Sequence, residues 1–214
     1  MAIKLILGGI GSGKGLTFIN LIKKRNNKAF VNFICKDKKS FRLEESHIIK
    51  TIENVGERGK ITKKREVNWD FWRQHIDGFD IYLDEVHNIL SSRRSMSGWN
   101  VIITQWIAQI RKLLGESEEF NLYMASQRLN AIDVSARELA DEIIYCKKII
   151  KNINGTKHVF VINYFFTGEY CMENYLKFRA GIKCYNYRNI FYGNNLFKYY
   201  KTHDIIDFGS SVYI

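Results

Sequence analysis

The chain has 214 residues, a formal net charge of +11 and 46% hydrophobic residues. That length suits one domain with at most a small appendage, and the apolar share excludes a disordered chain. The longest apolar stretches, Val159–Phe166 and Asn100–Ile110, fall short of the ~18–20 residues of a membrane-spanning helix, so no transmembrane segment is expected.

The opening MAIKLILGG reads as a buried strand, not a signal peptide, and a cytoplasmic protein follows. The run Ile3–Leu7 is continuously apolar, as in a strand buried on both faces. Glycines follow, then the amphipathic KGLTFINLIKK, a helix. Lys28–Cys35 reads as a second strand. Residues 36–65 are polar, with a helix expected around Glu44–Asn54 and a basic loop over Glu57–Val67. Val67–Ile76 has helical spacing, Phe79–Glu85 reads as a third strand and Trp99–Leu114 as a long helix. Phe120–Gln127 is a fourth strand, Asp133–Glu142 a helix capped by Asp133, and Ile143–Ile150 a fifth strand. A turn at Asn154-Gly155 joins a hairpin. The pattern over Tyr175–Ile214 gives no assignment. Strands alternating with helices predict an α/β fold with a mostly parallel central sheet, whose ligands bind beyond the carboxyl ends of the strands.

The chemistry is expected at those ends. Gly8, Gly9, Gly11, Ser12, Gly13 and Lys14 match the phosphate-binding loop G-x-x-x-x-G-K, with Gly15 and Leu16 opening the helix. Glycines let successive N–H groups curl around a phosphate, the helix adds its positive end, and Lys14 adds a point charge. The third strand ends in Asp84-Glu85, as a Walker B element does. Asp84 would hold magnesium, and Glu85 would polarise the water that attacks the γ-phosphate. A helix cap would explain the same pair when taken alone. Gln127 ends the fourth strand and would sit between the two motifs if their strands are neighbours.

The segments GGIGSGKG, YLDEVHNILSSR, QWIAQIRK, MASQRLNAIDVSAREL and FKYYKTHDII occur in an order that resembles the FtsK–HerA group of P-loop ATPases. The chain is similar, from Ile3 to about Ile206, to small viral genome-packaging ATPases and to the N-terminal domain of Zot-like filamentous-phage assembly proteins. This resemblance implies a RecA-like fold with a C-terminal β-hairpin extension from about residue 151, all in one ATPase domain. It implies ATP and Mg2+ as cofactors and a homo-oligomeric ring, often hexameric, acting on DNA at a capsid vertex or a phage assembly site. It makes Gln127 a γ-phosphate sensor, and Arg111, Arg128 and Arg137 candidates for an arginine finger. A non-catalytic nucleotide- or DNA-binding component and a small-molecule kinase are the competing readings.

Gly15 departs from the pattern, because Ser or Thr at this place holds magnesium. Water can fill that coordination position. Thr17 lies about 200° around the helix and is no simple replacement. The site is expected to bind and turn over nucleotide with weakened metal binding, and Gly15→Ser or Gly15→Thr is expected to restore a hydroxyl ligand without backbone strain. Basic clusters at Lys23–Arg25, Lys36–Lys39, Arg58–Arg65, Arg93–Arg94 and Lys147–Lys151 suit either a solvated face or a polyanion partner. Four scattered cysteines predict neither zinc site nor disulfide. His87 is expected to hydrogen bond or to lie near DNA, not to ligate metal. The aromatic tail, Phe191, Tyr192, Phe197, Tyr199 and Tyr200, is expected mainly in core or interface, with base stacking the alternative.

Overall fold

The computed structural model describes residues 2–55, 61–75, 78–94, 97–113 and 120–205. Its frame is an eight-stranded sheet. β1 (Ala2–Leu7) is the hub, pairing in parallel with β8 (Asn121–Ser126) on one side and β9 (Glu142–Ile153) on the other. Beyond β8 lie β7 (Phe79–Leu83), β2 (Lys28–Val31) and β4 (Ser40–Arg42), all parallel. Beyond β9 the sheet continues in antiparallel β10 (Thr156–Thr167) and β11 (Tyr187–Tyr192). The full order is β11-β10-β9-β1-β8-β7-β2-β4. Crossover connections between parallel strands need helices, and these cover both faces.

Alternate residues of the central strands serve the two faces. Ile6, Tyr82, Tyr123 and Ile144 pack with Leu16, Phe18, Ile19 and Ile22 of α1 (Lys14–Lys24). Leu5, Leu7, Ile81, Leu83 and Met124 pack on the other side with Trp72 of α3 (Trp69–Arg73) and Ile103, Trp106 and Ile107 of α4 (Gly98–Leu113). Double-sided burial is why these strands read as unbroken apolar runs. The short α5 (Val134–Glu138) is capped as expected: the Asp133 carboxylate accepts from Ser135 N at 3.0 Å. The hairpin turn also falls at Asn154-Gly155, both with positive φ (51° and 77°), as a two-residue turn demands.

Several expectations are corrected. Lys28–Cys35 is not one strand: it breaks at Asn32, and β3 (Phe33–Cys35) leaves the main sheet to pair with β12 (Tyr200–Ile205). The expected helix at 44–54 is a single turn, α2 (Glu45–Ile48), followed by β5 (Ile49–Val55). Part of the expected basic loop is instead β6 (Ile61–Val67), antiparallel to β5; its remainder at 57–60 lies outside the described residues. Neither strand shows a clean apolar alternation because the ribbon is largely exposed. The unassigned tail contains α6 (Cys171–Arg179), β11, a 3-10 segment at Asn194–Tyr199 and β12. The four cysteines are free, and no helix among the described residues is long and apolar enough to cross a membrane.

At the amino ends of the strands, one buried acid ties three elements together. Asp80 on β7 is 1% exposed, accepts from Asn121 N on β8 at 2.8 Å, and pairs with Arg25 Nε at the end of α1. Burial pushes its carboxyl above the usual range, while the Arg25 charge and hydrogen bond pull it back down. Removing one partner of such a pair strands the other. Asp80→Ala is therefore expected to lower unfolding free energy by about 3 kcal/mol, read as a fall in the urea midpoint with an unchanged m-value.

Candidate functional site

The sheet order brings the motifs together. The strand order places β8 between β1 and β7, so Gln127 stands between the glycine loop and the acid pair, as expected. A cavity of about 250 Å³ opens there, lined by Gly11, Ser12, Gly13, Lys14, Gly15 and Leu16, by Asp84, Glu85 and Gln127, and by Ile10, Lys148, Phe197 and Tyr200.

The loop has the geometry its glycines predict. Gly13 has φ 99° and lies so close to β10 that a Cβ would sit 2.8 Å from Val161 Cγ2, so both dihedral and space exclude a side chain. Lys14 is 7% exposed, and its ammonium donates to the carbonyls of Gly8 (2.9 Å) and Gly9 (3.2 Å). The charge is thus held inside the curl of the loop. Thr17 points away, buried and donating to Asn163 Oδ1 at 3.1 Å, which agrees with its place around the helix.

The acid pair needs an unusual backbone. Consecutive side chains of a strand point to opposite faces, yet Asp84 and Glu85 both line the cavity. Glu85 adopts the left-handed conformation, φ 46° and ψ 46°, which turns its side chain back; for a non-glycine residue this costs on the order of 1 kcal/mol. Asn32 holds the turn from below. Its side-chain carbonyl accepts from Asp84 N at 2.6 Å, and its amide donates to Asp84 O at 2.9 Å. Asn32 closes β2: its backbone N–H still reaches Tyr82 O of β7 at 3.3 Å, while its side chain clamps the backbone of the acid.

Glu85 Oε1 accepts from Gln127 Nε2 at 3.3 Å, while Oε2 lies 3.3 Å from His87 Nδ1. His87 also approaches Ser126 Oγ at 3.4 Å, and no group of metal-ligating side chains surrounds it among the described residues. Burial raises the Asp84 carboxyl above its ordinary range, against the hydrogen bond it accepts from Tyr200.

The finger candidates fall in different places. Arg128 lines a second cavity with His87, Ser91, Arg93 and Asn130. Arg137 donates to Asn130 Oδ1 at 3.1 Å beside it. Arg111 instead reaches Asp141 Oδ1 at 3.4 Å, and Asp141 also accepts from Ile3 N, near the amino end of β1 and so at the opposite end of that strand from the glycine loop.

Several site residues escaped sequence reasoning, among them Asn32, Lys148 and Tyr200. Lys148 was one of a basic cluster; its signal was the parallel register, because Leu7 pairs with Tyr145 and three more residues bring Lys148 level with the loop. A Cβ on Gly11 would lie 3.6 Å from its ammonium. Tyr200 was one of many tail aromatics, and no local pattern marked it. Its hydroxyl donates to Asp84 Oδ2 at 2.6 Å.

These groups suit a nucleoside triphosphate with Mg2+. The buried Ser12 hydroxyl has no hydrogen-bond partner among the described residues, and two lysines flank the loop. Asp84 and Glu85 are the acids of the cavity, and among the described residues no three ligating side chains gather, so an Mg2+ ion would be held by a carboxylate and substrate phosphates.

The fold and loop together define a P-loop NTPase fold. No protein-family model matches the chain, and no curated protein matches it. Among solved structures, it is similar to the N-terminal domain of zonular occludens toxin from Neisseria meningitidis at 14% identity and a TM-score of 0.50, over 94% of this chain and 98% of that one. It also matches the genome-packaging NTPase of Sulfolobus turreted icosahedral virus 2 in complex with AMPPCP, at 14% identity and a TM-score of 0.44, over 91% of this chain and 93% of that one. At such identity, the first likeness establishes the shared fold.

The Asn32 clamp yields a direct test. Asn32 is 6% exposed, and Asn32→Ala would leave the Asp84 N–H and C=O without these partners. The expected loss is about 2 kcal/mol, measured by urea denaturation; Asn32→Asp, which sets an acceptor against the Asp84 carbonyl and buries a charge beside two acids, should lose at least as much at neutral pH.

Proposed function

We propose that the protein is an ATPase whose turnover drives movement of DNA in virus or phage assembly. The observation that carries the catalytic half is the convergence of Lys14, Asp84, Glu85 and Gln127 on one cavity, with Glu85 already hydrogen bonded to Gln127. In this reading Lys14, Lys148 and the loop amides bind the phosphates. Mg2+ would neutralise phosphate charge, with Asp84 orienting its shell. Glu85 orients and accepts a proton from the attacking water, and Gln127 holds Glu85 in place. Ile10 and Phe197, both exposed at the mouth, offer an apolar face for the base.

A ring of copies, hexameric as in the family the motifs resemble, would let an arginine complete the neighbour's site. Arg128 and Arg137 fit that role better than Arg111, because they lie beside the cavity that His87 shares with the Glu85 surroundings. The protein would work in the host cytoplasm or at a capsid vertex.

Lys14→Ala is expected to abolish nucleotide binding and turnover. Glu85→Gln is expected to retain binding while turnover falls by roughly 10²–10⁴. Both are read by phosphate release and by binding of a fluorescent ATP analogue, in the presence of DNA. Wild type that turns over no faster than Glu85→Gln rules out catalysis and favours the silent nucleotide-binding reading.

The DNA half is supported by the charge of +11 and by the exposed β5–β6 ribbon, where Lys64 and Arg65 stand free of ion pairs to acids among the described residues and Lys63 faces Glu53 at 3.2 Å. Binding should be insensitive to sequence and fall steeply with salt. Replacing Lys63, Lys64 and Arg65 with alanine should flatten the slope of log K against log salt by about 2–3. An unchanged slope would move the DNA contact off this ribbon.

A further inference from the structure

Gly15 and Tyr200 form one unit. Gly15 has ordinary helical backbone, so no dihedral demands glycine there. What demands it is Tyr200: a Cβ on Gly15 would lie 2.5 Å from Tyr200 Cζ, 2.6 Å from Cε1 and 2.9 Å from the hydroxyl. The backbone at Gly15 is thus unstrained, as expected, but a Ser or Thr side chain there would meet the Tyr200 ring. The space that a loop serine would fill is filled by a phenol ring, and that ring also brings a hydroxyl.

The hydroxyl is aimed. It donates to Asp84 Oδ2 at 2.6 Å, while Asp84 Oδ1 accepts from Glu85 N at 2.9 Å, so each carboxylate oxygen has its own donor. A tyrosine placed only for packing needs some acceptor for its hydroxyl, but this one has taken the acid at the end of the Walker B strand. The ring is also fixed from behind. Tyr200 pairs with Cys35 in the β12–β3 ladder, its ring meets Phe33 edge-on at 5.5 Å, and Lys36 N donates to Tyr199 O at 3.0 Å. Lys23 on α1 sits 3.6 Å over the Tyr199 ring, and Gly193 lies against Leu16. The segment 193–200 is thus strapped across α1, from the helix to the acid.

We propose that Tyr200 is the metal-site hydroxyl of this protein, supplied by the C-terminal strap in place of the loop serine or threonine, and that it positions Asp84 for Mg2+. The inference rests on the nucleotide-binding reading above. It makes Gly15 an adaptation to Tyr200 and not a lesion, and it makes the site incomplete without the C-terminal segment.

The test is metal dependence of binding, separate from turnover. A fluorescent ATP analogue is titrated against the full chain with EDTA, and then across a Mg2+ series; Mn2+ bound per chain is counted by electron paramagnetic resonance. Tyr200→Phe keeps the ring and removes one oxygen. It should weaken nucleotide binding more with Mg2+ present than with EDTA, and raise the Mg2+ needed for half-maximal tightening about three- to tenfold. Gly15→Ser alone should fare worse because it meets the ring. Gly15→Ser combined with Tyr200→Ala moves the hydroxyl back to the loop and should recover the wild-type Mg2+ dependence. A Tyr200→Phe protein with unchanged Mg2+ dependence overturns the proposal, and one with tighter dependence overturns it by making the phenol a competitor for Asp84. If the double variant does not fold, Tyr200→Phe decides alone. Wild type that binds no nucleotide under any condition instead overturns the nucleotide-site reading itself.

Discussion

The ladder that joins β1 to β8 on one side and β9 on the other decides where the glycine loop, Gln127 and Lys148 stand. Leu7 pairs with Ser126 and with Tyr145, so β1 and β8 end at one level, and β9 crosses that level at Tyr145 and runs on to Ile153. From that level the glycine loop, Gln127 and Lys148 all reach the same space. A one-residue slip would turn each side chain to the other face. Leu5 and Leu7 pack in one core and Ile6 in the other, all fully buried, so a slip would force both cores to repack.

Around that level the site concentrates charge in little volume. Two acids and two lysines line the cavity, and the acids are held by neutral donors and backbone more than by the lysines. Asp84 is set by Asn32 from below, by the Glu85 amide and by Tyr200 from above. Lys14 is turned onto loop carbonyls. Leaving the cations uncommitted to the acids keeps both available to an anionic ligand. The backbone strain at Glu85 belongs to the same design, since it is what lets two adjacent acids share a pocket.

The C-terminal segment changes how the domain is understood. It is not an appendage on a finished core. β10 supplies Val161 against Gly13 and Asn163 against Thr17. β12 supplies Tyr200. Burial and the Asp84 charge raise the Tyr200 phenol far above its ordinary range, so it remains a neutral donor in the physiological range.

The sequence by itself determined the strands that are buried on both faces, the loop, the acids at the end of β7, and the turn at Asn154-Gly155. Each is local: an apolar run, a glycine spacing and a positive-φ turn are written in consecutive residues. It left the partial basic loop and the helix at 44–54 misread, because the exposed β5–β6 ribbon has no buried face to impose a period. Only the tertiary structure decided what is long-range. Asn32 meets Asp84 across 52 residues, and Tyr200 meets it across 116. Gly15 read alone is a missing hydroxyl. Read against the ring of Tyr200, it is the space that ring requires, and no spacing rule links the two because only the fold brings them into contact.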